Sequence, residues 1–338
     1  MTVLNILLAL LLLTLLVVVH EYGHYIVGRI FGFTILEFAV GMGPKIVSWE
    51  KKGILYSIRA FPIGGFNKFY GEDEDLDDEK TFNKHPVGHR ALVIAAGPIM
   101  NILFAFILAI IILCTFGDVV PVVKGVTAGG PAEEAGVMPD DEIIAINGNK
   151  IDFGMEFDMA VENLGDQVTL TVLRDGEEID LVMNTVFDES QDKNIIGISV
   201  IGEGKTFSIL EGFALSFKWL FLIIKQMIIA LGLLIFKGQG LSDTAGPVGT
   251  IVLISNYIKY GTETILRLAA LLSINLGIIN LLPFPALDGG RLVFLGIEKI
   301  RKKPLPNNIE GYANFVGFVI LIVLILLLTY KDILGVIE

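Results

Sequence analysis

His20 and His24 stand four residues apart with Glu21 between them, in the run His20-Glu21-Tyr22-Gly23-His24. On a helix that spacing turns both imidazoles the same way. The pattern can seat one zinc ion between the two histidines, with Glu21 beside it to take a proton from water. Residues Val3 to Val19 just before it are almost entirely Leu, Val, Ile and Ala, with Asn5 and Thr14 but no charge. Ionisable side chains at the edge of so apolar a run are costly, and at membrane depth they mark functional sites.

Two histidines do not complete the set, because a catalytic zinc takes three protein ligands and a water. Glu37 or Glu50 would supply the third in the manner of a thermolysin-like enzyme. A further candidate is Asp288, within Asn280-Leu281-Leu282-Pro283-Phe284-Pro285-Ala286-Leu287-Asp288-Gly289-Gly290. Pro283 and Pro285 break a helix there, and Gly289-Gly290 let the backbone turn. Broken helix at membrane depth is tolerated only where it is buried or lines a cavity.

These residues must be positioned by a membrane protein. The chain has 338 residues, 53% of them apolar. Long apolar stretches recur, and about 20 helical residues cross a hydrocarbon core. Spans are expected at about 3–24, 91–116, 264–286 and 312–330. The first run has no basic residue before it and no small-residue cleavage site after it, which argues against a secretory signal. The segment 207–236 is long enough to cross, but Glu211, Lys218 and Lys225 recur every seven residues and form a polar stripe. It is therefore expected to lie along the interface. Nine Lys/Arg fall between Gly28 and Arg90, and five more (Arg291, Lys299, Arg301, Lys302, Lys303) follow Asp288. The positive-inside rule puts both segments in the cytoplasm and both termini outside.

The net charge of −12 comes without a basic patch that would recommend nucleic acid. The single cysteine, Cys114, lies in an apolar run and supports neither a disulfide framework nor a cysteine metal site. The acidic run Glu72–Glu79 reads as a solvated stretch. His85 and His89 flank Pro86-Val87-Gly88 and read as interfacial polar residues rather than a second metal site.

Residues 34–69 are expected to hold three short strands, Thr34–Val40, Ile46–Trp49 and Leu55–Ala60. Gly41-Met42-Gly43-Pro44 and Pro62-Ile63-Gly64-Gly65 punctuate them. Residues 118–202 differ again, with ordinary charge density, strands at Val168–Leu173, Glu178–Met183 and Ile195–Val200, and turn signals at Asn147-Gly148 and Asp175-Gly176. This is a separate domain inserted between membrane elements.

Taken in order, these segments resemble the site-2 proteases of the RseP-type branch with one PDZ domain, over nearly the whole chain. The resemblance rests on His20-Glu21-Tyr22-Gly23-His24, Gly97-Pro98-Ile99-Met100-Asn101, Gly246-Pro247-Val248-Gly249 and the Asn280–Gly290 block. It rests also on Pro131-Ala132-Glu133-Glu134-Ala135-Gly136 and Asp141–Gly148, which look like a PDZ domain of the bacterial protease type. Where that family has Gly-Asp, this chain has Asp140-Asp141.

The resemblance implies a polytopic α-helical membrane protein of about four transmembrane helices, with a membrane-associated β-hairpin or β-loop and an inserted α+β PDZ domain. Its parts are residues 1–117 (two spans, zinc motif, β-loop), 118–202 (PDZ), 203–262 (amphipathic interfacial helices) and 263–338 (two further spans and the third ligand). It implies Zn2+ held by His20, His24 and Asp288, with Glu21 as the base of an intramembrane metalloprotease in the cell membrane. Asn275 and Asn280 would hold or polarise substrate, supported by Pro283, Pro285, Gly43, Gly64 and Gly65; Asn101 is either structural or substrate-facing. The β-loop would pair with an unwound transmembrane substrate, from proteins such as anti-sigma factors or from remnant signal peptides. The PDZ domain would lie outside, as a size filter or a binder of peptide C-termini, with the metal near the cytoplasmic side. Two rival readings are a membrane-anchored PDZ scaffold without proteolytic activity and a transporter; the latter predicts paired broken segments in two halves, and only one such segment is found.

Overall fold

The computed structural model describes residues 2–72, 76, 78–190, 192–240, 244–303 and 306–337. Residues 73–75 and 77 of the acidic run lie outside the described residues. The chain divides into two compact units, one of residues 1–109 with 218–338 and one of residues 110–217.

The first unit opens with α1 (Val3–Ile30), capped by Thr2, whose hydroxyl accepts from the Asn5 N–H at 3.3 Å. The chain then makes β1 (Ile35–Lys51) and β2 (Ile54–Phe69). These are two long, bulged strands rather than three short ones. The expected punctuation at 41–44 and 62–65 falls inside them, because Gly41, Gly43 and Gly64 take positive φ and bend each strand instead of ending it. Phe38 consequently pairs with Tyr56 on one side and Asn67 on the other. Residues 65–69, not anticipated as a strand, form an outer edge of this folded ribbon. Next comes α2 (Val87–Thr115), which contains Pro98.

Small residues let these helices approach closely, as membrane bundles require. A Cβ on Gly23 would lie 2.3 Å from the Ala96 carbonyl oxygen of α2. His85 stacks on Phe33 with ring centroids 3.9 Å apart, and His89 lies against Phe31 at 4.4 Å, so both act as packing rings.

The second unit carries β3 (Asp118–Val126), α3 (Pro131–Glu134), β4 (Glu142–Ile146), β5 (Asn149–Lys150), α4 (Gly154–Val161), β6 (Gln167–Arg174), β7 (Glu177–Asn184), β8 (Val186–Asp188), β9 (Lys193–Ile195) and β10 (Ile198–Lys205). Its main sheet runs β10-β3-β4-β6-β7, with β5 on β4. Val123, Ile143, Val168, Leu170 and Val172 fill its core. The turns at Asn147-Gly148 and Asp175-Gly176 both have two positive φ angles, the geometry that suits a right-twisted hairpin. The strand expected at Ile195–Val200 is split between β9 and β10 at Gly197, which has φ +75°.

From α5 (Ile209–Lys237) the chain returns to the first unit for α6 (Pro247–Tyr257), α7 (Thr262–Leu281), α8 (Asp288–Arg301) and α9 (Asn307–Ile337). Among the described residues, α1, α2, α5, α7 and most of α9 are long and apolar enough to cross a membrane. By length and composition α5 thus qualifies beside the four segments expected to cross. The helix expected over 264–286 stops at Leu281, since Pro283 supplies no N–H to continue it. α6 is fixed at its start by Asp332 of α9, which accepts the Gly246 and Gly249 N–H groups at 3.1 and 2.7 Å. A Cβ at either glycine would strike that carboxylate, which explains the Gly-Pro-Val-Gly sequence.

Candidate metal centre

One helical turn of α1 presents His20 and His24, both buried. Asp288 reaches them as the first residue of α8. The turn before it is held open by Ala286, at φ +73°, whose N–H donates to Asn314 Oδ1 of α9 at 3.1 Å. Gly289 and Gly290 are needed for close approach: a Cβ on either would come within 2.3 Å of the Leu281, Leu282 or Phe284 carbonyl oxygens. α8 is braced at two further points, by Arg90 of α2 on Glu298 and by Arg291 on Glu72 at 2.6 Å.

Three candidate ligand atoms converge. His20 Nε2 and His24 Nε2 lie 3.1 and 3.4 Å from Asp288 Oδ2 and 3.2 Å from each other. Asp288 Oδ2 is buried with no hydrogen-bond donor among the described residues. Ligands around a tetrahedral zinc with bonds of roughly 2.0–2.1 Å stand about 3.3 Å apart. The donor set, its spacing and the orphaned oxygen all fit that ion. Among the described residues no other group of His, Cys, Asp and Glu converges in this way.

The outward nitrogens are held too. His24 Nδ1 donates to the Val93 carbonyl at 2.8 Å, which turns Nε2 toward the site, the nitrogen that carries the free lone pair in the neutral ring. His20 Nδ1 lies 3.3 Å from the side-chain amide of Asn101, a fully buried residue whose Oδ1 has no partner among the described residues. Turned to present Oδ1, that amide accepts Nδ1–H and orients the imidazole. Asn101 therefore lies against His20.

Glu21 is gripped by Asn67, whose Nδ2 donates to the Glu21 carbonyl at 2.7 Å and to Oε2 at 2.8 Å. Asn67 lies on the outer strand segment, and its neighbour Gly65 admits Glu21: a Cβ there would stand 3.2 Å from Glu21 Cγ. A cavity of about 250 Å³ opens on this group, lined by Glu21, Asn67, Asn280, Ala286, Asp288 and Arg291 among others. Asn280 reaches it while donating to the Leu276 carbonyl at 3.0 Å.

Other expected residues lie elsewhere. Asn275 is exposed on α7 and away from the cavity wall, since five residues of helix separate it from Asn280 by about 140°. Pro283 and Pro285 shape the break; Pro283 is exposed, while Pro285 packs against Gly317 of α9. Gly43 and Gly64 serve the bends of the ribbon, against Phe61 and Met42. Glu37 is committed to Ser57, Arg59 and Lys45. Burial opposes its ionisation, but the bonds from Ser57 and Arg59 outweigh that and hold its carboxyl below the usual range. Glu50 is exposed on β1. Neither belongs to the converging group of His20, His24 and Asp288.

A histidine pair and a carboxylate meeting inside an apolar helical bundle, beside a restrained glutamate, define a membrane-embedded metallohydrolase. Residues 8–324 match peptidase family M50. The zinc metalloprotease RasP of Shouchella clausii is 30% identical, covering 95% of this chain and 96% of its own. A Clostridium perfringens protein bearing a zinc-metalloprotease name is 35% identical over 96% of this chain and 97% of its own. Among solved structures, a PDZ domain of an SdrC-like protein from Listeria monocytogenes aligns with 26% of this chain and 90% of its own at 23% identity, with a TM-score of 0.22. The chain belongs to peptidase family M50 and is a zinc-dependent intramembrane protease.

Proposed function

We propose that His20, His24 and Asp288 hold the zinc, that Glu21 is the general base, and that the substrate is a transmembrane segment of another protein. The observation that carries this reading is the meeting of the three ligand atoms within 3.4 Å of one another, on a cavity that Glu21 also lines.

When bound, zinc supplies Lewis acidity toward a water and the scissile carbonyl. Glu21 takes the proton from water and delivers it to the leaving amine. Asn67 holds the Glu21 carboxylate in one orientation. The Asn67 Oδ1 is buried and has no partner among the described residues, which suits it to accept a substrate N–H. Asn280 offers a polar side chain on the cavity wall. A helical substrate hides its carbonyls until it unwinds, and the outer segment 65–69, which pairs with no further strand among the described residues, offers an edge beside Glu21 to an extended chain.

The positive-inside rule favours four crossings, by α1, α2, α7 and α9, with α5 along the interface. The metal then lies near the cytoplasmic face, with both termini and the PDZ-like domain outside. In that domain, Phe157, Val161, Leu164, Ile196 and Ile198 line a groove of about 460 Å³, a place for an apolar peptide end. Anti-sigma factors and remnant signal peptides are the substrate classes in view.

The test is a comparison of membrane fragments in cells carrying wild-type protein or Glu21→Gln. Uncut transmembrane remnants should accumulate with the variant while zinc content is unchanged. Identical fragment profiles, or purified protein whose zinc content is indifferent to His20→Ala, would overturn the assignment of Glu21 as base and of His20 as ligand.

A further inference from the structure

α8 presents two unlike faces. Arg291, Leu295 and Glu298 are turned inward: Leu295 is buried in an apolar cluster, Arg291 meets Glu72 and Glu298 meets Arg90. On the opposite side Val293, Ile297 and Ile300 recur at i, i+4 and i+7 and are all exposed, Ile300 at 83%. That is one apolar stripe along the helix. Lys299, Arg301, Lys302 and Lys303 crowd its C-terminal end and are likewise exposed. Cations suit a helix C-terminus, but that accounts for Lys299 and Arg301, not for the two beyond. The acidic side chains of the helix, Asp288 and Glu298, both point inward and are engaged.

We infer that this outer face of α8 docks on an anionic lipid leaflet, with Val293, Ile297 and Ile300 in the upper acyl region and the four cations among phosphate headgroups. The inference rests on the reading of α7 and α9 as spans. Only six residues separate Leu281 from Asp288 and five separate Arg301 from Asn307, so both ends of the helix are tethered at one membrane face. Basic, apolar-faced helices at that level bind anionic lipid through both terms. Because Asp288 opens α8, a leaflet that holds the helix also holds the carboxylate at the metal centre.

The test uses the full chain with Ile300→Cys in a Cys114→Ser background, carrying an environment-sensitive fluorophore. The protein is reconstituted in vesicles of phosphatidylcholine alone or with a one-third share of phosphatidylglycerol, each doped with a lipid-borne quencher. Quenching should rise roughly threefold with the anionic lipid and fall back in high salt. It should not rise when Lys299, Arg301, Lys302 and Lys303 are all changed to Glu. A label at Glu177→Cys should report water throughout. The salt titration needs no charge variant, so it decides the matter even if that variant does not fold. A label at 300 equally wet in both vesicles overturns the inference. So does quenching that ignores lipid charge and salt, or shielding that follows protein concentration and marks a second copy. None of these readouts needs proteolysis, and zinc content measured on the same vesicles reports separately on the metal centre.

Discussion

Gly97 of α2 lies directly against His24: a Cβ at that position would come within 2.3 Å of His24 Nε2 and 2.8 Å of His20 Nε2. The Nε2 atoms of the proposed metal site occupy the space a side chain would fill. Gly97→Ala should push both imidazoles out of register, and zinc bound per protein should fall well below that of wild type. Metal analysis of the purified variant checks this, with peptidase activity falling in parallel. Full zinc occupancy with unchanged activity would show that α1 and α2 can separate at no cost.

Asn67 restrains Glu21, the proposed base, without touching His20, His24 or Asp288. Asn67→Ala should therefore leave zinc content intact and lower kcat about 10-fold, against a loss of about 10²–10⁴-fold for Glu21→Gln. A steady-state assay on a transmembrane peptide, paired with metal analysis, separates the two roles. Loss of zinc in Asn67→Ala would mean that the ribbon supports the ligands and not the base.

Which parts of this centre could be read from the chain follows from the range of the interactions. The His20–His24 pair is a local property of one helix, and Asp288 is announced by prolines and glycines a few residues away. Asn67 carries no such local signal: it reaches Glu21 only because Gly64 bends β2 and turns residues 65–69 back along α1. Asn314, which fixes the Ala286 turn, lies on another helix and is invisible for the same reason. Asn275 and Asn280 carry the same expectation from sequence, yet helical rotation sends only the second to the cavity. The number of crossings stays ambiguous in sequence because α5 is both apolar enough to cross and striped by Glu211, Lys218 and Lys225.

Asn101 supports His20 from behind. Asn101→Ala removes the acceptor for Nδ1–H and leaves the imidazole free to turn. Such outer partners are typically worth about 10–100-fold in metal affinity. Competition with a chelator should show that loss, while Asn101→Asp, which keeps an acceptor, should recover most of it. Equal affinity in wild type and Asn101→Ala would assign the amide to helix packing alone.

In the second unit, Asp140 adopts φ +71°, a backbone conformation in which glycine meets no steric penalty. A side chain in the left-handed region costs roughly 1–2 kcal/mol, less for Asp than for most. Asp140→Gly should therefore raise the stability of this unit by about 0.5–1 kcal/mol after allowing for the freer unfolded chain. Slower hydrogen exchange in β4 and β6 would show it; faster exchange would mean that the Asp140 side chain contributes more than its backbone loses.

Its neighbour Asp141 gives the domain an acid-sensitive tie. Asp141 Oδ1 and Oδ2 each accept from the Arg174 guanidinium at 2.7 Å, and Oδ2 accepts the Met138 N–H at 2.9 Å. Burial pushes the carboxyl up, but the Arg174 fork and the Met138 amide outweigh it and hold it below the ordinary 3.8. A carboxyl depressed in the folded state contributes its full stabilisation above the unfolded value and loses it as pH falls through the folded one. Asp141→Asn should accordingly exchange β4 and β6 amides faster than wild type at pH 7, and the gap should close as pH is lowered below about 3.8. A gap that stays constant down that range would mean that the variant loses shape complementarity to Arg174 and not charge.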